Sequence, residues 1–459
     1  MQRLVRISSS FRDPSGYVFL SEGRLYRIIF NCYRDNYEHL MDSGLYDKLT
    51  KENLLINHEE ACFPVDDIND VYKVIRPESI DFISYPYEWC FSQLKDAALL
   101  TLKIQKIAFE HGMTLKDASA YNVQFKDGKP ILIDTLSFEK YREGRPWIAY
   151  KQFCQHFLAP LVLMSLKDVR LNELLRSHID GIPLDLTSSL LPYKTIFNYG
   201  ILFHIHLHAR SQKRFEKKPI NREKYRMGRN AYQALMENLE SLIKKIHWKP
   251  EGTEWADYYH MGSYSKSAME HKSSILLDII ERFDPGVVLD LGANDGFFSR
   301  LVAGKSKYVI SADADPACVE KNYLICKDNV EKKVLPILID LTNPSPSLGW
   351  QNLEREAFFK RLRVDTVIAL ALIHHLAISN NISLDNLADF FRKLGRFLVI
   401  EFIPKTDSQV KRLLSSREDI FFKYNQEEFE RQFFQYFRIK ERFGIIDSHR
   451  TIYFMERKD

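Results

Sequence analysis

The sequence lacks most of the features that assign a class at a glance. Its 459 residues hold six cysteines (Cys32, Cys62, Cys90, Cys154, Cys318 and Cys326), and no two sit at C-x-x-C spacing. That spacing serves structural zinc and thioredoxin-type redox chemistry, so no metal site is assigned and the thiols read as free in a reducing compartment. No run approaches the roughly 20 apolar residues of a membrane-crossing helix. The most apolar stretch, 157–166, is about half that and contains Pro160. The N-terminus MQRLVRISSSFRD has basic residues but no following apolar stretch, so no secretory signal is read and a cytoplasmic location is expected. Repeats and low-complexity tracts are absent. A strong excess of one sign of charge is absent as well, the net being +4. With no recognised RNA- or DNA-binding module, no nucleic-acid partner is expected.

What is present fits a globular chain of more than one domain. The hydrophobic and charged fractions, 45% and 27%, are ordinary, and the length exceeds what one core organises. Between 210 and 229 nine residues are Lys or Arg, interrupted by Pro219, which reads as a solvated segment. Beyond it AYQALMENLESLIKKI has helical period and KPEGTEW breaks it. The boundaries expected are therefore 1–210, a basic helical linker 211–252, and 253–459.

The last part alternates helix and strand: SAMEHKSSILLDIIERF, GVVLDL, DGFFSRLVA, YVISAD, PACVEKNYLICK, VLPILID, then VDTVIALAL, LDNLADFFRKL and FLVIEFI. This predicts an α/β domain, a doubly wound Rossmann-like sheet. The closing segment from Glu427 reads as a helix and two strands forming an antiparallel edge hairpin. In such sheets ligands bind at the carboxyl ends of the strands, by the first strand-helix turn. That turn is GANDG, with Asp290 just before it and Gly292, Asn294 and Gly296 within it; Asp313 and Asp340 end the next two strands. Glycines let the backbone approach a ligand, and an acidic second-strand end suits a ribose diol. The three-glycine dinucleotide fingerprint is not matched. The arrangement resembles motif I of the class I S-adenosylmethionine (AdoMet)-dependent methyltransferases. The resemblance implies that Asp290 and the 292–296 turn hold the amino-acid end of AdoMet, Asp313 the ribose and Asp340 the adenine. The N-P-S-P run at 343–346 follows the third strand, not the fourth, so the N-P-P-Y signature of nucleic-acid amino-methyltransferases is rejected.

On the acceptor side His374 and His375 follow the fourth strand, and Glu401 ends the fifth. An imidazole of near-neutral pKa can take the proton of a hydroxyl acceptor, and Glu401 can orient the acceptor or a histidine. The expected reaction is methyl transfer to a small-molecule or glycan acceptor, as O-methylation. Trp255, Tyr258, Tyr259 and Tyr264 are candidates for a lid or for packing between domains. HIHLH, with His204, His206 and His208, has no nearby carboxylate or Cys partner and reads as structural.

In the first half, LKDASAYNVQFKDGKPILIDTLSFE places Asp117 and Asn122 before a hairpin turned by Asp-Gly, with Asp134 after it. The helix SQLKDAALLTLKIQKIAFEHG precedes it and DFISYPYEW stands as a hinge strand. This is similar to the catalytic segment of protein kinases and aminoglycoside-type phosphotransferases, which implies an α+β kinase-like domain, Asp117 as base, and Asn122 and Asp134 holding Mg for ATP. The pattern departs from that family: no His-Arg precedes Asp117, Thr-Leu follows Asp134, no glycine-rich loop is present, and Arg27 and Lys73 are poor substitutes for the strand lysine. The first domain therefore reads as an acceptor or partner module, with a bifunctional kinase-methyltransferase as the alternative; a non-enzymatic AdoMet-binding scaffold, or a nucleic-acid or protein methyltransferase, is a further one. DPSGYVFLSEGRLYR, SYPYEW with LKDAALLTL, and LKDASAYNVQF with ILIDTLSFE resemble a bacterial group of two-part methyltransferases that includes NoeA-like nodulation proteins.

Overall fold

A computed structural model describes residues 4–63, 70–215, 226–253, 265–415 and 418–459. The chain divides into two compact units, one of 1–248 with 346–356 and one of 249–345 with 357–459.

The first unit opens with an antiparallel sheet of β1 (Val5–Arg6), β2 (Gly16–Ser21), β3 (Arg24–Phe30), β4 (His58–Glu60) and β5 (Val71–Pro77), in the order β1-β2-β3-β5-β4. The β2–β3 hairpin turns through Glu22 and Gly23, both at positive φ, the geometry that matches strand twist in two-residue turns. Alternation sorts the side chains: Phe19, Ile28 and Val74 pack on one face, Ile29 and Ile75 with Tyr33, Tyr37 and Leu136 on the other. A helix, Phe91–Glu110, follows. Then come β6 (Met113–Leu115), β7 (Val123–Lys126), β8 (Lys129–Leu132) and β9 (Phe138–Lys140), with β6 on β9 and β7 on β8. Asp127 and Gly128 turn the second hairpin at φ 50° and 73°, as Asp-Gly predicts.

Two expectations fail here. DFISYPYEW is no strand; it is irregular, with a short 3-10 turn at Pro86–Glu88. Nor is all of 211–252 a linker. The helix Arg229–Lys245 buries Tyr232, Met236, Leu239, Leu242 and Ile243, one stripe at helical spacing. Its Tyr232 stacks on Phe109 at 4.5 Å and bonds the Thr114 hydroxyl at 2.7 Å. The helix expected from AYQALMENLESLIKKI is present, and its apolar stripe faces the core of the first unit. Residues 346–356, which include Pro346 and Trp350, also belong to this unit: Arg355 lies over the Tyr121 ring at 4.0 Å, and Glu354 pairs with Arg12 at 2.8 Å.

The second unit is built on β10 (Val287–Leu291), β11 (Tyr308–Asp313), β12 (Val334–Leu338), β13 (Thr366–Ala369), β14 (Phe397–Phe402), β15 (Phe437–Gly444) and β16 (Thr451–Arg457). The sheet order is β12-β11-β10-β13-β14-β16-β15. The first five strands are parallel; β16 runs antiparallel to both neighbours. The expected terminal hairpin is present, with its second strand inside. The patterns explain why. β16 carries a continuous apolar run, Ile452 to Met455, buried on both faces, whereas β15 alternates and exposes Arg438, Lys440 and Arg442. Charge along the outermost strand blunts edge-to-edge pairing. The chain lays β10, β11 and β12 to one side and then crosses to β13 on the other, so the switch point lies beside the carboxyl end of β10.

Candidate active site

After Leu291 the chain turns into the helix Phe297–Ala303. Gly292, Asn294 and Gly296 take φ of 71°, 52° and 75°, the left-handed region that L residues other than Asn and Asp rarely visit. Gly296 has a second constraint: a Cβ there would stand 2.1 Å from Asn322 Oδ1. That amide is fixed in place, its Nδ2 donating to Ser311 Oγ at 2.8 Å and its Oδ1 accepting from Arg300 at 2.9 Å.

Asp313 ties the second strand to this turn. Its Oδ2 accepts the Asn294 N–H at 2.7 Å and its Oδ1 the Asp315 N–H at 2.8 Å. Burial pushes the carboxyl up to about 6, against the pull of those N–H groups. A carboxylate offers roughly four acceptor positions, so capacity for a diol remains. Asp290 lies deeper, 2% exposed. It accepts from Ser299 Oγ at 2.6 Å, and burial raises it to about 6 as well. It braces the following helix from beneath the turn. Asp340 is exposed past β12, with Oδ1 accepting from the Thr342 N–H and hydroxyl at 2.8 and 2.7 Å.

On the other side of β10, the loop after β13 carries Ala371 at φ 50°. Its N–H donates to Glu401 Oε2 at 2.8 Å. Glu401 is fully buried, paired with Lys272 at 2.7 Å and with Arg450 at 3.8 Å; Arg450 also holds Asp407 at 2.7 Å. Two cations and two carboxylates are thus enclosed together. Glu401 shapes the loop that seats Leu372 3.1 Å from where a Gly292 Cβ would lie. His374 and His375 follow, their rings 4.0 Å apart. His374 is fully buried, burial holds its pKa well below the usual range, and neither ring nitrogen has a partner among the described residues. His375 is brought down to about 4 by burial, with the Arg450 charge adding to it. Burial thus draws both imidazoles below the near-neutral range expected of a base.

No family model matches the chain. The nodulation protein NoeA of Rhizobium meliloti (strain 1021) is 32% identical over 462 residues, spanning 99% of this chain and 96% of that protein. The chain belongs to the NoeA family. Solved structures similar to it include the N-methyltransferase NodS from Bradyrhizobium japonicum WM9 in complex with S-adenosyl-L-homocysteine (10% identity, TM-score 0.33, covering 45% of this chain and 100% of that one). Magnesium protoporphyrin IX methyltransferase from Synechocystis PCC 6803 is another (16% identity, TM-score 0.31, 42% and 86% covered). The second unit of this NoeA-family chain is a doubly wound, Rossmann-like α/β sheet.

Several residues that shape the NoeA-family site escaped the sequence analysis: Lys272, Ser299, Asn322, Asp407 and Arg450. Lys272 alone left a signal. It sits on the buried stripe Ala268, Ile275, Leu276 and Ile279 of the helix Lys266–Glu281, where a lysine needs a buried partner. The remaining four act between separate elements, Ser299 with Asp290 and Ser311, Asn322 with Ser311 and Arg300, and Asp407 with Arg450. Trp255, Tyr258, Tyr259 and Tyr264 lie outside the described residues.

In the first unit Asp117, Asn122 and Asp134 do come together. Asn122 Nδ2 donates to Ser137 Oγ at 3.1 Å, and that hydroxyl donates to Asp134 Oδ2 at 2.6 Å. Burial, then the Asp134 charge, raises the Asp117 carboxyl. Arg27, on β3, bridges Asp134 and Asp13. With Arg27 and the Leu136 N–H on Oδ1 and Ser137 on Oδ2, Asp134 has a cation in place of a metal, and these residues do not fit Mg as they stand. Among the described residues no group of three or more His, Cys, Asp or Glu is arranged to hold a metal ion. The imidazoles of HIHLH are engaged by protein: His204 by Tyr150 and Asn238, His206 by Ser188 and Thr195, and His208 stacked on Tyr150.

Proposed function

We propose that the second unit binds AdoMet at the carboxyl ends of β10, β11 and β12 and methylates a small-molecule or glycan acceptor, at oxygen. The observation that carries this reading is the Asn294 N–H to Asp313 Oδ2 bond at 2.7 Å. It holds an acidic strand end against a glycine-shaped turn at the switch point of the sheet, where such folds bind nucleotides. The turn backbone, braced by Asp290, would take the amino-acid end, Asp313 the ribose hydroxyls and Asp340 the adenine amino group. Bound there, AdoMet supplies a methyl electrophile that needs no further activation.

The chain's own contribution is then alignment. The loop shaped by Glu401 sets the acceptor side, and neutral His375 accepts a hydrogen bond from the acceptor's O–H, turning a lone pair toward the methyl group. With its basicity lowered, His375 orients the hydroxyl, and the proton leaves to water. For the first unit we infer a role in holding the acceptor or a partner, favoured over phosphoryl transfer by the Arg27–Asp134 pair in the place a metal would take.

Calorimetric titration of the full chain with AdoMet tests the reading. Asp313→Asn removes a charged acceptor worth about 1.5–3 kcal/mol, so affinity falls roughly ten- to hundredfold. Unchanged affinity would refute the site. Incubating the enzyme with labelled AdoMet and fractionated cell extract then identifies the acceptor class; label appearing only in protein or nucleic acid would refute a small-molecule or glycan acceptor.

A further inference from the structure

Between 193 and 207 the first unit turns large apolar side chains outward. Tyr193, Phe197, Tyr199 and Phe203 are 80, 77, 87 and 57% exposed, and Leu207 is exposed with them. They stand on consecutive short helices, Tyr193–Phe197, Tyr199–Ile201 and Leu202–Leu207, followed by His208–Phe215. These segments are firmly seated on their inner side. Ile201, Ile205 and Ala209 are buried, a Gly200 Cβ would meet the Leu242 side chain at 2.9 Å, and His204 and His206 are each held by two protein partners. Tyr199, Phe203 and Leu207, at i, i+4 and i+8, therefore form an outer apolar stripe on a well-packed base.

Charge indicates what covers the stripe. Between Asp185 and Glu216 the sequence contains no Asp or Glu, while Lys194 and Arg210 flank the aromatics. Aromatic and leucine side chains beside cations, with acidic residues excluded, are the composition of surfaces that lie in a lipid headgroup layer. A protein partner of ordinary composition would not require thirty residues free of acid. No described helix is long and apolar enough to cross a membrane, so the contact is with one leaflet. We propose that this face docks the protein on an anionic lipid bilayer, with Tyr199 and Phe203 entering the headgroup region.

The test is sedimentation of the full chain with vesicles of phosphatidylcholine alone, and of phosphatidylcholine with one quarter phosphatidylglycerol. Expected is binding to the anionic vesicles only, weakened by salt, and reduced at least tenfold in Tyr199→Ser/Phe203→Ser. Lys194→Gln/Arg210→Gln should lose about fivefold per charge, the equivalent of roughly 1 kcal/mol each. Phe203→Leu should retain binding. Circular dichroism and AdoMet titration of each variant separate lost docking from lost folding or a failed cofactor site. Equal binding to neutral vesicles, no vesicle binding, or full displacement by millimolar inorganic phosphate would overturn the proposal. So would wild-type self-association that the aromatic variants abolish, which would make a second copy the occupant.

Discussion

The enclosed pair Lys272–Glu401 gives a quantitative test of how the acceptor side is built. At 2.7 Å, two unit charges attract by about 6 kcal/mol at an effective dielectric of about 20. Taking both out of water costs several kcal/mol per ion, so the intact pair contributes little net stability. Removing one partner is a different matter. Lys272→Met leaves Glu401 with Arg450 at 3.8 Å and the Ala371 N–H, and the four-charge cluster becomes net negative. Glu401→Gln leaves it net positive while still offering an acceptor to Ala371. Each single change should cost about 3–5 kcal/mol, a large share of the roughly 5–15 kcal/mol that holds a domain. The double variant Lys272→Met/Glu401→Gln restores charge balance and should cost less than the sum of the singles by at least about 2 kcal/mol. Hydrogen exchange of β13 and β14 peptides reads this locally, without assuming that the two units unfold together. A single-variant cost below about 1 kcal/mol, or strict additivity in the double, would refute the claim that Glu401 acts chiefly through this cluster.

Three further outcomes are expected. Gly296→Ala should abolish AdoMet binding and destabilise the second unit, because its Cβ meets the fixed Asn322 amide at 2.1 Å and φ is 75°; calorimetric binding at wild-type affinity would contradict this. Asp290 and Asp313 are both raised to about 6, so the folded free chain binds more protons than the unfolded one between about pH 4 and 6, and these groups favour folding more as pH falls through that window. A diol donating to ionised Asp313 reverses the preference, so AdoMet affinity should drop as pH falls below about 6, and titrations from pH 5 to 8 check the sign. In the first unit Arg27→Gln should open Asp134 to a cation, so that Mn binding, absent in the wild-type chain, appears by calorimetry; strong Mn binding by the wild type would show that Arg27 is not the resident cation.

What could be read from the sequence divides by the range of the forces involved. The turn at 292–296 was legible because its glycines and Asn294 answer to local backbone geometry, and strands β10 to β14 were legible because period and length are local as well. The terminal hairpin was legible as a hairpin, and the interior place of β16 is visible in retrospect in its unbroken apolar run. The helix Arg229–Lys245 was read as a helix but placed in a linker, because the counterpart of its five-residue apolar stripe, Phe109 and Thr114, lies more than a hundred residues earlier. Glu401 was found as a residue and missed as a component, since its partners Lys272, Arg450 and Ala371 come from three other parts of the fold. The same holds for Arg27, dismissed as a weak stand-in for a strand lysine until the fold set it on Asp134. Charges that are isolated along the sequence gain meaning only from what they are buried against. A lysine on an otherwise apolar helix stripe, as at 272, is the local trace of such a cluster, because burying an unpaired ammonium would cost more than a domain's whole stability allows.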